Sequence, residues 1–237
     1  MTKLSVNINK VATLRNARGG NMPDVVRFAI DCERFGADGI TVHPRPDERH
    51  IKLSDVYALA GHIKTEFNIE GYPDDRYMTM IKEIRPAQAT LVPDPPHVIT
   101  SNTGWDVIGH MDTLKNIIAE IKSYGVHVSL FLNPDTDQVN AAKQSGADRI
   151  ELYTGPYAEN FYADKQLAVD AYSHAAKAAN ALGLGINAGH DLNLDNLKFF
   201  KQSLIHLDEV SIGHAIISDA LYYGIENTIQ LYQRCLK

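Results

Sequence analysis

Cysteine is nearly absent. Cys32 and Cys235 are the only two in 237 residues. They lie far apart, which leaves no disulfide framework and no zinc-ligand spacing, and we expect both to be reduced. Long apolar runs are missing as well. No stretch approaches the roughly 18 apolar residues of a membrane span, and the opening MTKLSVNINK has no apolar signal core. We therefore expect a cytoplasmic protein with no membrane partner. Positive charge is in the minority: Lys plus Arg number 23 and Asp plus Glu 29, for a net charge of −6. No basic run or basic helix stands out. That excludes a nucleic-acid partner, whose affinity would come from clustered positive charge. Small phosphorylated ligands remain open, because a few backbone amides can hold them.

What is present is alternation. With 44% hydrophobic residues the chain can bury a large core. Strand candidates fall at 4–8, 39–43, 64–70, 88–92, 126–132, 149–153, 184–188 and 210–212. Between them lie helix candidates. Pro23 opens the first, which ends at Gly36, and Ser54 caps the second. Others cover 74–84, 112–124, 135–145, 164–182, 194–203, 215–223 and 225–237. Residues 11–21 read as a long polar loop and 154–162 as another. An elaborated loop is expected at about 93–111, where proline is dense.

Eight strands with intervening helices predict an α/β fold, a (β/α)8 TIM barrel with extra helices, in one domain over 1–237. The repeat of GADGI at 36–40 in GADRI at 146–150 suggests one βα unit used more than once. An open doubly wound sheet is the competing architecture.

The strand ends carry the chemistry. Residues 39–50, GITVHPRPDERH, run from a short strand into a loop rich in charge. Other strands end in Asn7 and Asn9, Glu70, Tyr153, His190 and His214. In a barrel these ends meet at one mouth. One such residue means little, but three histidines and a glutamate converging need partners or a purpose. NAGHD at 187–191 and SIGHA at 211–215 set Gly189 and Gly213 beside two of the histidines, at strands seven and eight. That is where barrels bind phosphate, on free amides at a helix start. Asp191 complicates this reading, since a carboxylate repels an anion unless it turns away. A histidine–carboxylate metal site from His43, His50, His190, His214 and Glu70 is the alternative, although no H-x-H or HExxH spacing occurs. Acid–base work needs no metal.

The chain resembles the pyridoxine 5′-phosphate synthase family. The likeness rests on VNIN-x-VATLRNARGG at 6–20, GADGITVHPRPDERHI at 36–51, NIEG at 68–71, GADRIELYTGPYA at 146–158, GLGINAGHDL at 183–192 and IGHAIISDAL at 212–221. It spans nearly the whole chain. The resemblance implies a homo-oligomer, an octamer built from dimers, with no metal and no cofactor. It implies condensation of 3-amino-2-oxopropyl phosphate with 1-deoxy-D-xylulose 5-phosphate to pyridoxine 5′-phosphate, phosphate and water.

By that resemblance His43, Glu70 and His190 would be the catalytic proton-transfer residues. Asn7, Arg18, Asp191, Gly213 and His214 would bind the amino-ketone phosphate, with Arg18 reaching in from a neighbouring subunit. Asn9, Lys10, Arg45, His50 and Thr100 would bind deoxyxylulose phosphate. Residues 93–109 would form a lid. Two positions depart from the commoner pattern: Asn9-Lys10 stand where an Asp-His pair is usual, and Asp191 replaces a glycine. Two rivals remain at this level: an aldolase-like enzyme using Lys10 as a Schiff base, and a phosphometabolite-binding subunit without catalysis.

Overall fold

The computed structural model describes residues 1–93 and 103–237. Eight parallel strands close into a barrel in sequence order. They are β1 (Lys3–Asn7), β2 (Gly39–Val42), β3 (Glu66–Gly71), β4 (Gln88–Leu91), β5 (His127–Leu132), β6 (Arg149–Tyr153), β7 (Gly185–His190) and β8 (Glu209–Ile212). β1 closes on β8 through the register Lys3–Glu209 to Val6–Ile212. The helices are α1 (Asn9–Asn16), α2 (Val25–Arg34), α3 (Leu53–Ala60), α4 (Asp75–Ile84), α5 (Met111–Ser123), α6 (Thr136–Ser145), α7 (Gly155–Asn160), α8 (Lys165–Ala181), α9 (Leu197–Ser203), α10 (His214–Tyr223) and α11 (Ile225–Leu236). The predicted TIM barrel is the observed fold. Among the described residues no helix is long and apolar enough to cross a membrane.

Several local expectations change. The polar run 11–21 is helical up to Asn16, because Val11, Ala12 and Arg15 share a buried face that pays for its weak propensity. The loop at 154–162 contains α7, which has a proline in its first turn. β7 runs two residues past the expected Ala188 and takes in Gly189 and His190. Ser54 does not cap α3. Lys52 is the N-cap, and the Asp55 carboxylate accepts from its backbone N–H at 2.8 Å.

The strands alternate, and the polar side faces the lumen. Outward residues such as Leu4, Val6, Ile40, Val42, Leu130 and Ile150 are fully buried under the helices. The inward residues are also buried, yet they are polar: Ser5, Thr41, Asn68, Gln88, Thr90, Ser129, Asn187 and Glu209. Barrels of this type are usually filled by Val, Ile and Leu. Here a chain of hydrogen bonds fills the space. Asn187 Nδ2 donates to Gln88 Oε1 at 3.3 Å. Gln88 Nε2 donates to Thr90 Oγ1 at 3.4 Å, and Thr90 Oγ1 to Asn68 Oδ1 at 3.0 Å. Asn68 Nδ2 donates to Thr41 Oγ1 at 3.4 Å, which pairs with Ser5 Oγ at 2.7 Å. β4 and β7 are not neighbours in the barrel, so the Asn187–Gln88 bond crosses the lumen. Below this belt Glu66 bridges Lys3 and Arg149, each at 2.9 Å, and plugs the N-terminal end.

Each link in the belt satisfies a group that water cannot reach. Thr41→Val keeps the shape and removes the hydroxyl shared by Ser5 and Asn68. Stability should fall by about 1–3 kcal/mol, the cost of an orphaned buried polar group. Denaturant titration checks this, and an unchanged midpoint would show that the belt contributes nothing.

Candidate active site

The strand C-termini open into a cavity of about 520 Å³. The proton-transfer candidates line it. His43 follows β2, Glu70 is the fifth residue of β3, and His190 is the last of β7. His43 Nδ1 lies 3.8 Å from Glu70 Oε2, too far for a hydrogen bond. Burial drives both groups toward neutrality. It raises the Glu70 carboxyl to about 8, aided by the charge of Glu209 below it. It lowers His43 to about 3, aided by the neighbouring His50, Arg45 and Arg49. Near neutral pH Glu70 is thus a proton donor and His43 an unprotonated imidazole, held side by side. Asn7 reaches Glu70 Oε2 with its Nδ2 at 3.5 Å.

One side of the mouth is cationic. Lys10, Arg45, Arg49 and His50 all line it. His50 Nδ1 accepts from the Ile51 backbone N–H at 2.9 Å, which leaves Nε2–H as a donor. Burial and the charges of Arg45 and Lys10 lower His50 to about 4, so it acts as a neutral donor among cations. α1 holds this loop in place. Arg15 makes a two-pronged bond to Asp55 at 2.6 and 2.8 Å, and Asn16 Nδ2 donates to the His50 carbonyl at 2.8 Å. Asn9 Oδ1 accepts from His43 N at 2.9 Å and ties β1 to β2 at the mouth.

A second side is the start of α10, which follows β8 next to β1. Gly213 is the N-cap and His214 the first helical residue, so unpaired backbone amides face the cavity. The need for glycine here comes from a neighbouring strand. A Cβ on Gly213 would sit 3.0 Å from the Asn7 carbonyl oxygen. At Gly189 it would meet Ser211 O at 2.6 Å and Glu151 Oε1 at 2.8 Å, so that glycine makes room for a side chain of the site. Asp191 lines the same wall, with its carboxylate turned onto His190.

Eleven candidates thus share one cavity: Asn7, Asn9, Lys10, His43, Arg45, His50, Glu70, His190, Asp191, Gly213 and His214. Arg18 does not join them; it is exposed just beyond α1 and does not line the cavity. Thr100 and most of the expected lid lie outside the described residues.

The model of the pyridoxal phosphate biosynthesis protein PdxJ family matches residues 4–237. This chain belongs to the PdxJ family. Pyridoxine 5′-phosphate synthase of Porphyromonas gingivalis is 60% identical over 233 residues, covering 98% of each chain. That of Cytophaga hutchinsonii is 59% identical over 237 residues and the full length of both. Among solved structures, 3-keto-L-gulonate-6-phosphate decarboxylase of Vibrio cholerae superposes with a TM-score of 0.67 at 11% identity, covering 99% of this chain and 97% of that one. Thiamine phosphate pyrophosphorylase of Pyrococcus furiosus gives 0.64 at 11%, covering 99% and 95%. At that identity the likeness is one of fold.

The PdxJ-family cavity also holds groups that reading the strand ends did not single out. Glu151, the third residue of β6, lines it while nearly fully buried, and its Oε2 has no hydrogen-bond partner. Burial and the charge of Glu70 raise its carboxyl well above the usual range, and His190 opposes them. Thr13, Arg49, Val92, Phe131 and Ser211 complete the lining. The signal for Glu151 was an acidic residue inside the apolar run IELY; it was passed over because it is not at the strand's end.

The pH dependence of stability tests these protonation states. Glu70 and Glu209 are both raised from 4.5 to about 8 in the folded protein. Such groups bind protons more tightly folded than unfolded. Their contribution is complete below about pH 4.5 and is lost as pH rises through about 8. Glu70→Gln stays neutral, so between about pH 6 and 9 its Tm should fall less than that of the wild-type protein. Parallel Tm curves would mean Glu70 is already ionised at neutral pH.

Proposed function

We propose that this chain is a pyridoxine 5′-phosphate synthase that condenses 3-amino-2-oxopropyl phosphate with 1-deoxy-D-xylulose 5-phosphate, releasing phosphate and water. One observation carries the reading: a cationic cluster and a helix start line the same cavity as His43 and Glu70, both driven toward neutrality by burial. Two phosphorylated substrates need two anion-attracting poles. The α10 amides with His214 and Asn7 suit the amino-ketone phosphate. Lys10, Arg45 and His50 suit the pentulose phosphate, as does Thr100 by family likeness.

Between the poles an amine adds to a ketone, water and phosphate leave, and the ring closes. Every step moves protons. Protonated Glu70 can give one to a departing hydroxyl, and neutral His43 can take one from carbon or nitrogen. His190, at the opposite rim, serves the amino-ketone side. The buried walls strengthen each of these interactions. The reading extends to a cytoplasmic homo-oligomer, an octamer built from dimers. An exposed Arg18 at the end of α1 fits a role in a neighbour's site better than in its own.

Incubating the purified protein with both phosphates should yield pyridoxine 5′-phosphate and inorganic phosphate in equal amounts. Glu70→Gln should lower turnover by about 10²-fold or more. Absence of product from the wild-type protein would sink the assignment, and near-normal turnover in Glu70→Gln would sink the role of Glu70.

Lys10 gives an independent check on substrate orientation. It is exposed on the first turn of α1, and its charge is felt at His50. An electrostatic contact explains it better than a Schiff base, since one substrate brings its own amine. Lys10→Ala should raise the half-saturating deoxyxylulose phosphate concentration roughly 5- to 100-fold, about 1–2.7 kcal/mol, with saturated turnover retained. A borohydride-trapped adduct on Lys10 would overturn this.

A further inference from the structure

His190 occupies a constrained backbone. Its φ is +100°, a conformation that L side chains rarely adopt. The surrounding chain over-determines it. His190 pairs with Ile212 in the β7–β8 ladder. On one side, the Thr154 backbone N–H and hydroxyl both donate to the Gly189 carbonyl. On the other, Asn196 Nδ2 donates to the Asp191 carbonyl at 3.2 Å. With the peptide before His190 and the peptide after Asp191 both pinned, ring orientation is the main freedom that remains.

Two contacts remove it. The Tyr153 ring meets the imidazole edge-on at 5.3 Å between centroids. Asp191 Oδ2 lies 2.6 Å from Nδ1, the length of a charge-assisted bond. The His190 hydrogen bond holds the Asp191 carboxyl below its ordinary range against partial burial. An ionised carboxylate only accepts, so Nδ1 must donate. The neutral ring then carries its lone pair on Nε2.

We propose that Asp191 is a positioning residue for His190: its carboxylate grips Nδ1, selects the tautomer with Nε2 unprotonated, and aims that nitrogen into the cavity. The pairing also resolves the conflict of a carboxylate beside an anion pole. Asp191 turns its charge onto His190 instead of toward the α10 amides, where a phosphate would sit. The role in turnover rests on the synthase reading; the tautomer does not.

The test combines a spectrum with kinetics. In protein labelled with ¹⁵N-histidine, above the imidazole titration range, His190 should show a protonated Nδ1 and an unprotonated Nε2. The spectrum of His190→Asn assigns the signal. The opposite tautomer in the wild-type protein overturns the proposal with no variant needed. Asp191→Ala should admit the Nε2–H tautomer and lower kcat by about 10- to 100-fold, with KM for either phosphate within about 3-fold. Asp191→Asn, whose amide oxygen still accepts, should keep the wild-type tautomer and recover most of kcat. A wild-type nitrogen pattern or wild-type kcat in Asp191→Ala also overturns it. A wild-type protein that makes no product would defeat the synthase reading, while the nitrogen signals would still report on the pair.

Discussion

Closure of β1 onto β8 is the constraint from which the rest follows. It seals the inner faces of eight strands from water, and those faces are polar. A buried polar group must be paired or lose its charge. The Lys3–Glu66–Arg149 plug and the belt from Asn187 to Ser5 take the first course, whereas Glu209, low in the lumen, is pushed toward its neutral form. The carboxyls nearer the mouth take the second. Among the described residues no cation is bonded to Glu70 or Glu151, and burial drives both toward the protonated form. Acid chemistry near neutral pH is thus a consequence of where the barrel buries its glutamates.

The mouth is built from short segments anchored elsewhere. α1 looks like a connection between β1 and α2, yet Arg15 and Asn16 brace the loop that carries His50. From the other side Arg76 Nη1 donates to the Pro44 carbonyl at 2.8 Å. The Arg45–His50 segment is therefore clamped between two helices, so its geometry depends on side-chain bracing. The start of α10 depends instead on strand packing, since Asn7 fills the space beside Gly213.

Much of this was legible in the chain. Eight apolar segments punctuated by glycine and proline announced a barrel, and the polar residues at 43, 70, 190 and 214 announced its mouth. The misses have physical causes. α1 has few strong helix signals and owes its form to a face buried by tertiary contacts. Glu151 sits one pleat below the rim, so a search confined to strand ends passes over it. At Gly189 and Gly213 the crowding that a Cβ would meet comes from neighbouring strands, which no local pattern shows.

By itself the sequence determined the order of elements, the barrel class, the family and the set of residues at the strand ends, because these depend on local pattern and on residue identity. It could not say which side of each alternating strand faced the lumen. KLSVN and EVSI read equally well with polar residues toward solvent, and only closure turns those residues inward. Nor could it give protonation states. The shifts of Glu70, His43 and His50 come from burial and from charges supplied by other elements. The grip of Asp191 on His190 was equally out of reach. Adjacent residues in an extended strand point to opposite faces; the backbone turn at His190, held by β8, Thr154 and Asn196, is what brings the two side chains together.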